Sequence, residues 1–298
     1  MTRQIKDVPK SVHTRLLNLA RKTGRPFGDL FRLYSMERFL YRLSCSPHAA
    51  KFVLKGGLML RVWDASTVRP TKDMDLLGRT SKSVENLVRI VQDACDQEVV
   101  PDGLEFERES VSGALIKEDA EYNGVRVRFL GHLGKAEVTM QLDVGFGDAV
   151  VPPPVEVDVP TLLEFPPPRL RAYQPETSIA EKVHAMTVLG TMNGRMKDFY
   201  DIWLLSRKFR FEREVLRAAI QATFTARKTE IETTPIGLTP EFAREAQGRW
   251  SAFLRKTGLS DAPTSFADVI AAVADFLLPI LAPDPATSEW PRGGPWKS

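Results

Sequence analysis

The sequence predicts an α+β protein, with helices first, a strand-rich middle and a helical C-terminal lobe. Three observations lead there. Leu33, Met36, Leu40 and Leu43 recur at spacings of three and four, which marks a helix with one buried stripe. Val125, Val127 and Phe129 alternate with Arg126 and Arg128, and Val138, Met140 and Leu142 alternate with Thr139, Gln141 and Asp143, as in half-buried strands. After Pro175 the pattern is helical nearly to Pro279. At 298 residues the chain can bury a large core, in two lobes rather than one.

Taken in order, residues 11–22 and 29–43 form two helices separated by Gly24-Arg25-Pro26. Phe52-Val53-Leu54 is a short buried strand ending at Gly56-Gly57, and a helical stretch runs from Leu58 to about Trp63. A second strand carries Thr71, Asp73 and Asp75 on one face, with Met74 and Leu76 on the other. Ser81 opens a helix to about Gln97 whose inner face is Val84, Leu87, Val91 and Ala94. Strands occupy residues 103–147. Seven prolines between 152 and 168 predict an extended connection between the lobes. The tail from Pro283 onward, rich in Pro, Gly and small polar residues, reads as loosely held.

Composition narrows the class. Hydrophobic residues make up 43% and charged residues 27%, as in an ordinary globular protein. Cys45 and Cys95 are the only cysteines, which excludes a disulfide framework and a cysteine-based zinc site. There is no 18-residue apolar stretch, and the first twenty residues are too charged for a signal peptide, so a cytoplasmic protein without a membrane partner is expected. The net charge of +3 hides an asymmetry. Residues 1–42 hold ten Lys or Arg against three acids, residues 85–121 three against eleven, and residues 190–230 nine against five. The two basic segments suit a polyanion; the same counts also describe solvated faces of amphipathic helices.

Asp73 and Asp75, spaced i, i+2 on a strand, project to the same side. Paired, desolvated carboxylates repel, so a cation is expected between them. Asp143 could join them if its strand lies alongside, giving a hard-oxygen site suited to Mg²⁺; a strand acid facing water is the equal alternative. Gly56-Gly57 permits a tight turn with backbone amides aimed at phosphate oxygens. Further along, Ile179, Lys182, Met186 and Leu189 share one helical face, so Lys182 must snorkel or meet an anion, either a nucleotide phosphate or a neighbouring carboxylate. Asp198 and Asp201 follow at i, i+3. Asp201 is the stronger site candidate and Asp198 the structural one, while Arg195 and Lys197 suit phosphate or surface ion pairs. His13, His48, His132 and His184 lack ligand spacing, and no GxSxG or Cys/His arrangement supports acyl transfer.

With these residues assembled, the chain resembles the AbiEii family of nucleotidyltransferase toxins, among them the mycobacterial MenT toxins. The resemblance runs through Tyr34, Glu37, Arg38, Phe39, Leu40, Arg42 and Leu43, then Phe52-Val-Leu-Lys-Gly-Gly57 and Arg69-x-Thr-Lys-Asp-x-Asp75. It continues through Leu142-Asp-Val-Gly-Phe-Gly-Asp148, Ala180-Glu-Lys-Val-His-Ala185 and Arg195-x-Lys-Asp-Phe-Tyr-Asp201. It implies a polymerase-β-like nucleotidyltransferase core with a mixed sheet over residues 1–165, and a helical domain over 166–298 that contributes to the active site. It further implies that the Gly56-Gly57 turn holds the triphosphate and that Asp73 and Asp75 bind Mg²⁺. With Asp143 as a third ligand one or two Mg²⁺ are expected, and Lys55, Gly56, Gly57, Arg69, Thr71, Lys182 and Arg195 are the expected NTP-binding residues. Lys182 would contact the nucleotide and Asp201 would be needed for activity. Thr71 stands at a hydroxyl position that some members phosphorylate, with inhibition. Members act as toxins of bacterial toxin–antitoxin, abortive-infection systems. Some transfer a nucleotide to the tRNA 3′ end, beside a winged-helix repressor as antitoxin. A protein or small-molecule acceptor is the alternative, and a catalytically silent binding module is the rival from another class.

Overall fold

The computed structural model describes residues 7–64, 69–118, 122–282 and 288–297. The chain divides into two compact units, one of residues 1–147 and 155–172, the other of 148–154 and 173–298.

The first unit opens with helices α1 (Val8–Thr23) and α2 (Phe27–Cys45). Helix α1 starts where the Asp7 side chain accepts from the Lys10 amide at 3.0 Å with Pro9 in the first turn, and it stops at Gly24, whose φ of 70° suits a left-handed cap. Then come β1 (Phe52–Lys55), α3 (Met59–Trp63), β2 (Met74–Gly78), α4 (Val84–Cys95), β3 (Leu104–Glu118), β4 (Tyr122–Leu133), β5 (Ala136–Gly145), β6 (Val155–Asp158) and β7 (Arg169–Ala172). They build a mixed seven-stranded sheet in the order β3-β4-β5-β2-β1-β7-β6. Strand β2 lies parallel to β5 and antiparallel to β1, at the centre of the sheet. This is the mixed α+β architecture that the sequence predicts.

Three details differ from the sequence reading. Ser83, not Ser81, caps α4, its hydroxyl accepting from the Asn86 amide at 3.2 Å. The proline-rich stretch is not a bare connector, because β6 and β7 within and after it extend the sheet beyond β1. Prolines at the strand ends leave Val155–Asp158 free to pair as an edge strand. Helix α2 buries far more than one stripe. From Leu33 to Leu40 every residue is buried, with Ser35, Glu37 and Arg38 among the apolar ones.

Such burial demands partners for the polar groups. Arg42 donates to both Asp102 oxygens at 2.7 and 3.0 Å and to the Leu104 carbonyl at 2.9 Å. Asp102 accepts the Leu104 amide as well, and the Tyr34 hydroxyl donates to its carbonyl at 2.7 Å. The pair is therefore satisfied and ties α2 to the start of β3. Glu37 is less well served. Its Oε2 accepts the Leu162 amide at 2.9 Å, while Arg61 stands 3.8 Å from Oε1.

The second unit holds α5 (Pro175–Leu189), α6 (Met196–Lys208), β8 (Phe211–Glu212), α7 (Arg213–Ala226), α8 (Pro240–Thr257), α9 (Phe266–Leu281) and β9 (Glu289–Trp290). Phe199, Phe242, Trp250 and Phe266 pack ring to ring at its centre, with centroids 5.1 to 6.1 Å apart. The tail expected to be loose from Pro283 lies partly outside the described residues, and 288–297 is docked. Strand β9 pairs with β8, and Trp290 is buried with its indole N–H donating to the Ser206 carbonyl at 2.6 Å. Trp296 donates to the Phe276 carbonyl at 2.9 Å and stacks on that ring. Two tryptophans outweigh the small polar residues around them.

Burial raises the Glu37 carboxyl to about 7, against its ordinary 4.5, despite the Leu162 amide and Arg61. The folded chain thus holds a proton that the unfolded chain releases, and stability falls as pH rises from about 4.5 to about 7. Glu37→Gln keeps the acceptor for Leu162 and removes the charge. Denaturant unfolding is expected to show it more stable than the parent by about 3 kcal/mol at pH 8 and equal at pH 4.

Candidate active site

The turn after β1 sets the geometry. Gly56 has φ of +73°, and a β-carbon there would fall inside the Asp75 carboxylate. The Asp75 side chain therefore lies directly over the glycine backbone. Gly57 is bare for a similar reason, since a β-carbon would stand 2.8 Å from both Arg69 Nη2 and Thr71 Oγ1. The glycine pair is thus the floor on which the acid and two candidate phosphate ligands rest.

Asp75 belongs to β2, but the strand begins at Met74, so Thr71 and Asp73 precede it rather than extending its polar row. A local bond supplies what the pleat does not, because the Thr71 hydroxyl donates to Asp73 Oδ1 at 3.0 Å. Asp143 on β5 is the direct neighbour of Asp75 across the parallel pair. Asp73, Asp75 and Asp143 each bring a carboxylate oxygen within 4.8 Å of the others, and all three are half-buried. Three hard anionic oxygens this close together suit a divalent cation such as Mg²⁺.

Two features of this cluster were not read from the sequence. The first is Arg126, on β4 opposite Asp143. Its Nε and Nη2 donate to Oδ1 and Oδ2 of Asp143 at 2.8 and 2.7 Å, and Gln141 approaches Oδ2 at 3.3 Å. Lys55 stands opposite Asp75 in the β1–β2 register. The four strands therefore carry a transverse row Lys55, Asp75, Asp143, Arg126, with two acids flanked by two bases. Strand alternation had placed Arg126 correctly on the polar face, but pairing partners are invisible without strand order. The second is a narrow cleft beside Gly57 lined by Arg25, Asp29, Arg61, Arg69 and Thr71. Arg25 and Arg61 come from the α1–α2 turn and from α3, and no spacing rule connects them to Arg69.

In the second unit, Lys182 projects from α5 and its ammonium lies 3.0 Å from Asp201 Oδ2 and 3.2 Å from Asp198 Oδ1. Both acids on α6 are buried, and Arg195 Nε donates to Asp198 Oδ2 at 2.6 Å. Lys182 has thus met neighbouring carboxylates, one of the two partners the apolar stripe called for. Burial would raise the Asp198 carboxyl, but Lys182 and then Arg195 outweigh it and hold it at about 2. Nearby, Asp148 accepts from Arg227 Nη2 at 3.0 Å. Arg227 also approaches His184 Nδ1 at 3.2 Å, and burial with this guanidinium lowers the imidazole to about 4. His184 is therefore a neutral packing residue at physiological pH, and His48, joined to Asp93 at 2.9 Å, is likewise outside any ligand cluster.

The family model described as nucleotidyl transferase AbiEii toxin, type IV TA system, matches residues 38–272, well over half of the chain. Among solved structures, JHP933 from Helicobacter pylori is 14% identical and covers 85% of this chain and 93% of its own, with a TM-score of 0.48. A second H. pylori protein, described as a nucleotidyltransferase, is 14% identical over 85% of this chain and 96% of its own, with a TM-score of 0.45. No curated protein matches the chain. Among the described residues no helix is long and apolar enough to cross a membrane.

Gly56→Ala must move the turn or the Asp75 carboxylate, and it strains a left-handed residue by about 1–2 kcal/mol before any displacement. It is expected to lower the melting temperature and to abolish nucleotide binding by calorimetry. Lys182→Met leaves Asp198 and Asp201 buried with one cation fewer, and is expected to cost about 3–5 kcal/mol in denaturant unfolding.

Proposed function

Because this chain belongs to the AbiEii family of nucleotidyltransferase toxins of type IV toxin–antitoxin systems, we propose that it transfers a nucleoside monophosphate from an NTP to an RNA acceptor, the tRNA 3′ end. The observation that carries the proposal is the carboxylate cluster of Asp73, Asp75 and Asp143, with Asp75 seated over Gly56.

The donor set fits Mg²⁺, since it is all oxygen and anionic, and Gly56 lets the Asp75 carboxylate lie against the backbone of the turn. Asp73, Asp75 and Asp143 would hold one or two Mg²⁺, which would supply Lewis-acid stabilisation of the charge on the departing pyrophosphate while the acceptor hydroxyl attacks the α-phosphorus in line and the bond to pyrophosphate breaks. The chain's own groups do the rest. Asp73 and Asp75 are the primary ligands, and Asp143 is the third. The Thr71 hydroxyl fixes the Asp73 carboxylate, and its phosphorylation would remove that donor and add negative charge beside three acids. Lys55, Arg69 and the amides of Gly56 and Gly57 receive the triphosphate. Arg195 and Lys182 are assigned to the nucleotide, with Asp201 orienting the Lys182 ammonium from 3.0 Å.

The basic segments 1–42 and 190–230 favour RNA as acceptor through phosphate contacts. Membership of the family implies a cognate antitoxin and a nucleotide substrate. A winged-helix repressor is the partner we propose, with the toxin acting in the cytoplasm.

Incubating the protein with labelled NTPs, Mg²⁺ and total bacterial RNA is expected to label tRNA 3′ ends. Asp75→Asn is expected to lower the rate by at least about 100-fold, and labelling should fall steeply between about 50 and about 200 mM salt. Label appearing on protein or a small molecule, with RNA untouched, would replace the acceptor. No label on anything, with Asp75→Asn indistinguishable from the parent, would end the transferase assignment for this site.

A further inference from the structure

Two neighbouring carboxylates on adjacent strands repel, and the usual reading is that bound metal alone relieves them. The sheet shows a different balance. Asp143 is clasped by Arg126 through both of its oxygens at 2.8 and 2.7 Å, in the fork geometry that a guanidinium makes with a carboxylate. Arg126 and Asp143 are paired residues of β4 and β5, Asp143 and Asp75 are paired residues of β5 and β2, and Asp75 and Lys55 are paired residues of β2 and β1. Side chains of directly paired residues stand on the same face of a sheet, so the backbone itself holds this row in place. The Arg126 side chain is about one-third exposed and that of Asp143 is 16% exposed, so the pair is only partly screened by water.

We propose that Arg126 is a built-in counter-cation of the carboxylate cluster, a positioning residue that orients Asp143 and supplies the charge of a second ion, so that without nucleotide the cluster binds a single divalent cation. The inference rests on the metal reading given above and adds a residue and a stoichiometry to it. A carboxylate oxygen has two lone pairs, so Asp143 can keep its guanidinium and still offer an oxygen to one ion. A second ion in the same cluster would stand beside both the first ion and the guanidinium, and like-charge repulsion would exclude it until the triphosphate brings its own negative charge.

The test uses the full chain without nucleotide, titrated with Mn²⁺ and read by electron paramagnetic resonance of the free ion and by calorimetry. The parent is expected to bind one Mn²⁺. Arg126→Met removes the guanidinium that clasps Asp143 while keeping all three carboxylates, and is expected to tighten the first Mn²⁺ by about tenfold and to admit a second. Arg126→Gln is expected to do the same and serves if the Met variant fails to fold. Arg126→Lys, which keeps the charge, should stay within about threefold of the parent and bind one ion. If the parent binds Mn²⁺ but neither neutral variant tightens it by more than twofold, the counter-cation role is wrong and the metal site stands. If the parent takes up no Mn²⁺ at all, both the metal reading and this inference fall.

Discussion

Adjacent negative side chains in the middle of a sheet must be neutralised from somewhere, and this constraint shapes the first unit. Asp75 and Asp143 are cross-strand neighbours, and the structure sets a base on the far side of each, Lys55 beside Asp75 and Arg126 beside Asp143. The glycine turn is part of the same solution. Only a residue without a side chain can lie beneath the Asp75 carboxylate, and only a backbone free to adopt φ of +73° can turn there. The charge pattern, the turn and the strand order β4-β5-β2-β1 therefore depend on one another. Changing the order would leave the acids facing each other without their bases.

The second unit solves a related problem differently. Lys182 lies on the apolar side of its helix, where hydration is poor, and two acids one turn apart on α6 receive it. The acids are buried more deeply than the lysine, and Arg195 adds a second cation from the helix start. Loss of the lysine by mutation therefore strands carboxylates as well as removing an ammonium. A drop in activity at position 182 carries meaning only beside an unfolding curve.

Much of this was legible in the sequence, and the reasons are local. A Gly-Gly turn, an i, i+2 acid pair and an alternating strand leave marks within a few residues, so Gly56, Gly57, Asp73, Asp75 and Asp143 could be named, and the structure brings the three acids together. What escaped notice depends on which strands and helices become neighbours. Arg126 reads as an ordinary outward residue until β4 is placed beside β5, and Arg25 and Arg61 are scattered bases until they line one cleft with Arg69. Strand edges misled in another way. Proline suggested a linker where β6 and β7 form, because an outer strand tolerates missing donors that an inner strand does not. Arg42 and Asp102 lie sixty positions apart and meet only in the fold.

The docked tail carries a consequence for how the protein is made. The Trp290 indole closes on the Ser206 carbonyl, a contact spanning 84 positions, and Trp296 caps the Phe276 ring. A chain folding as it is synthesised makes these contacts last, so nascent α6 and α9 lack them until residues 288–297 are in place.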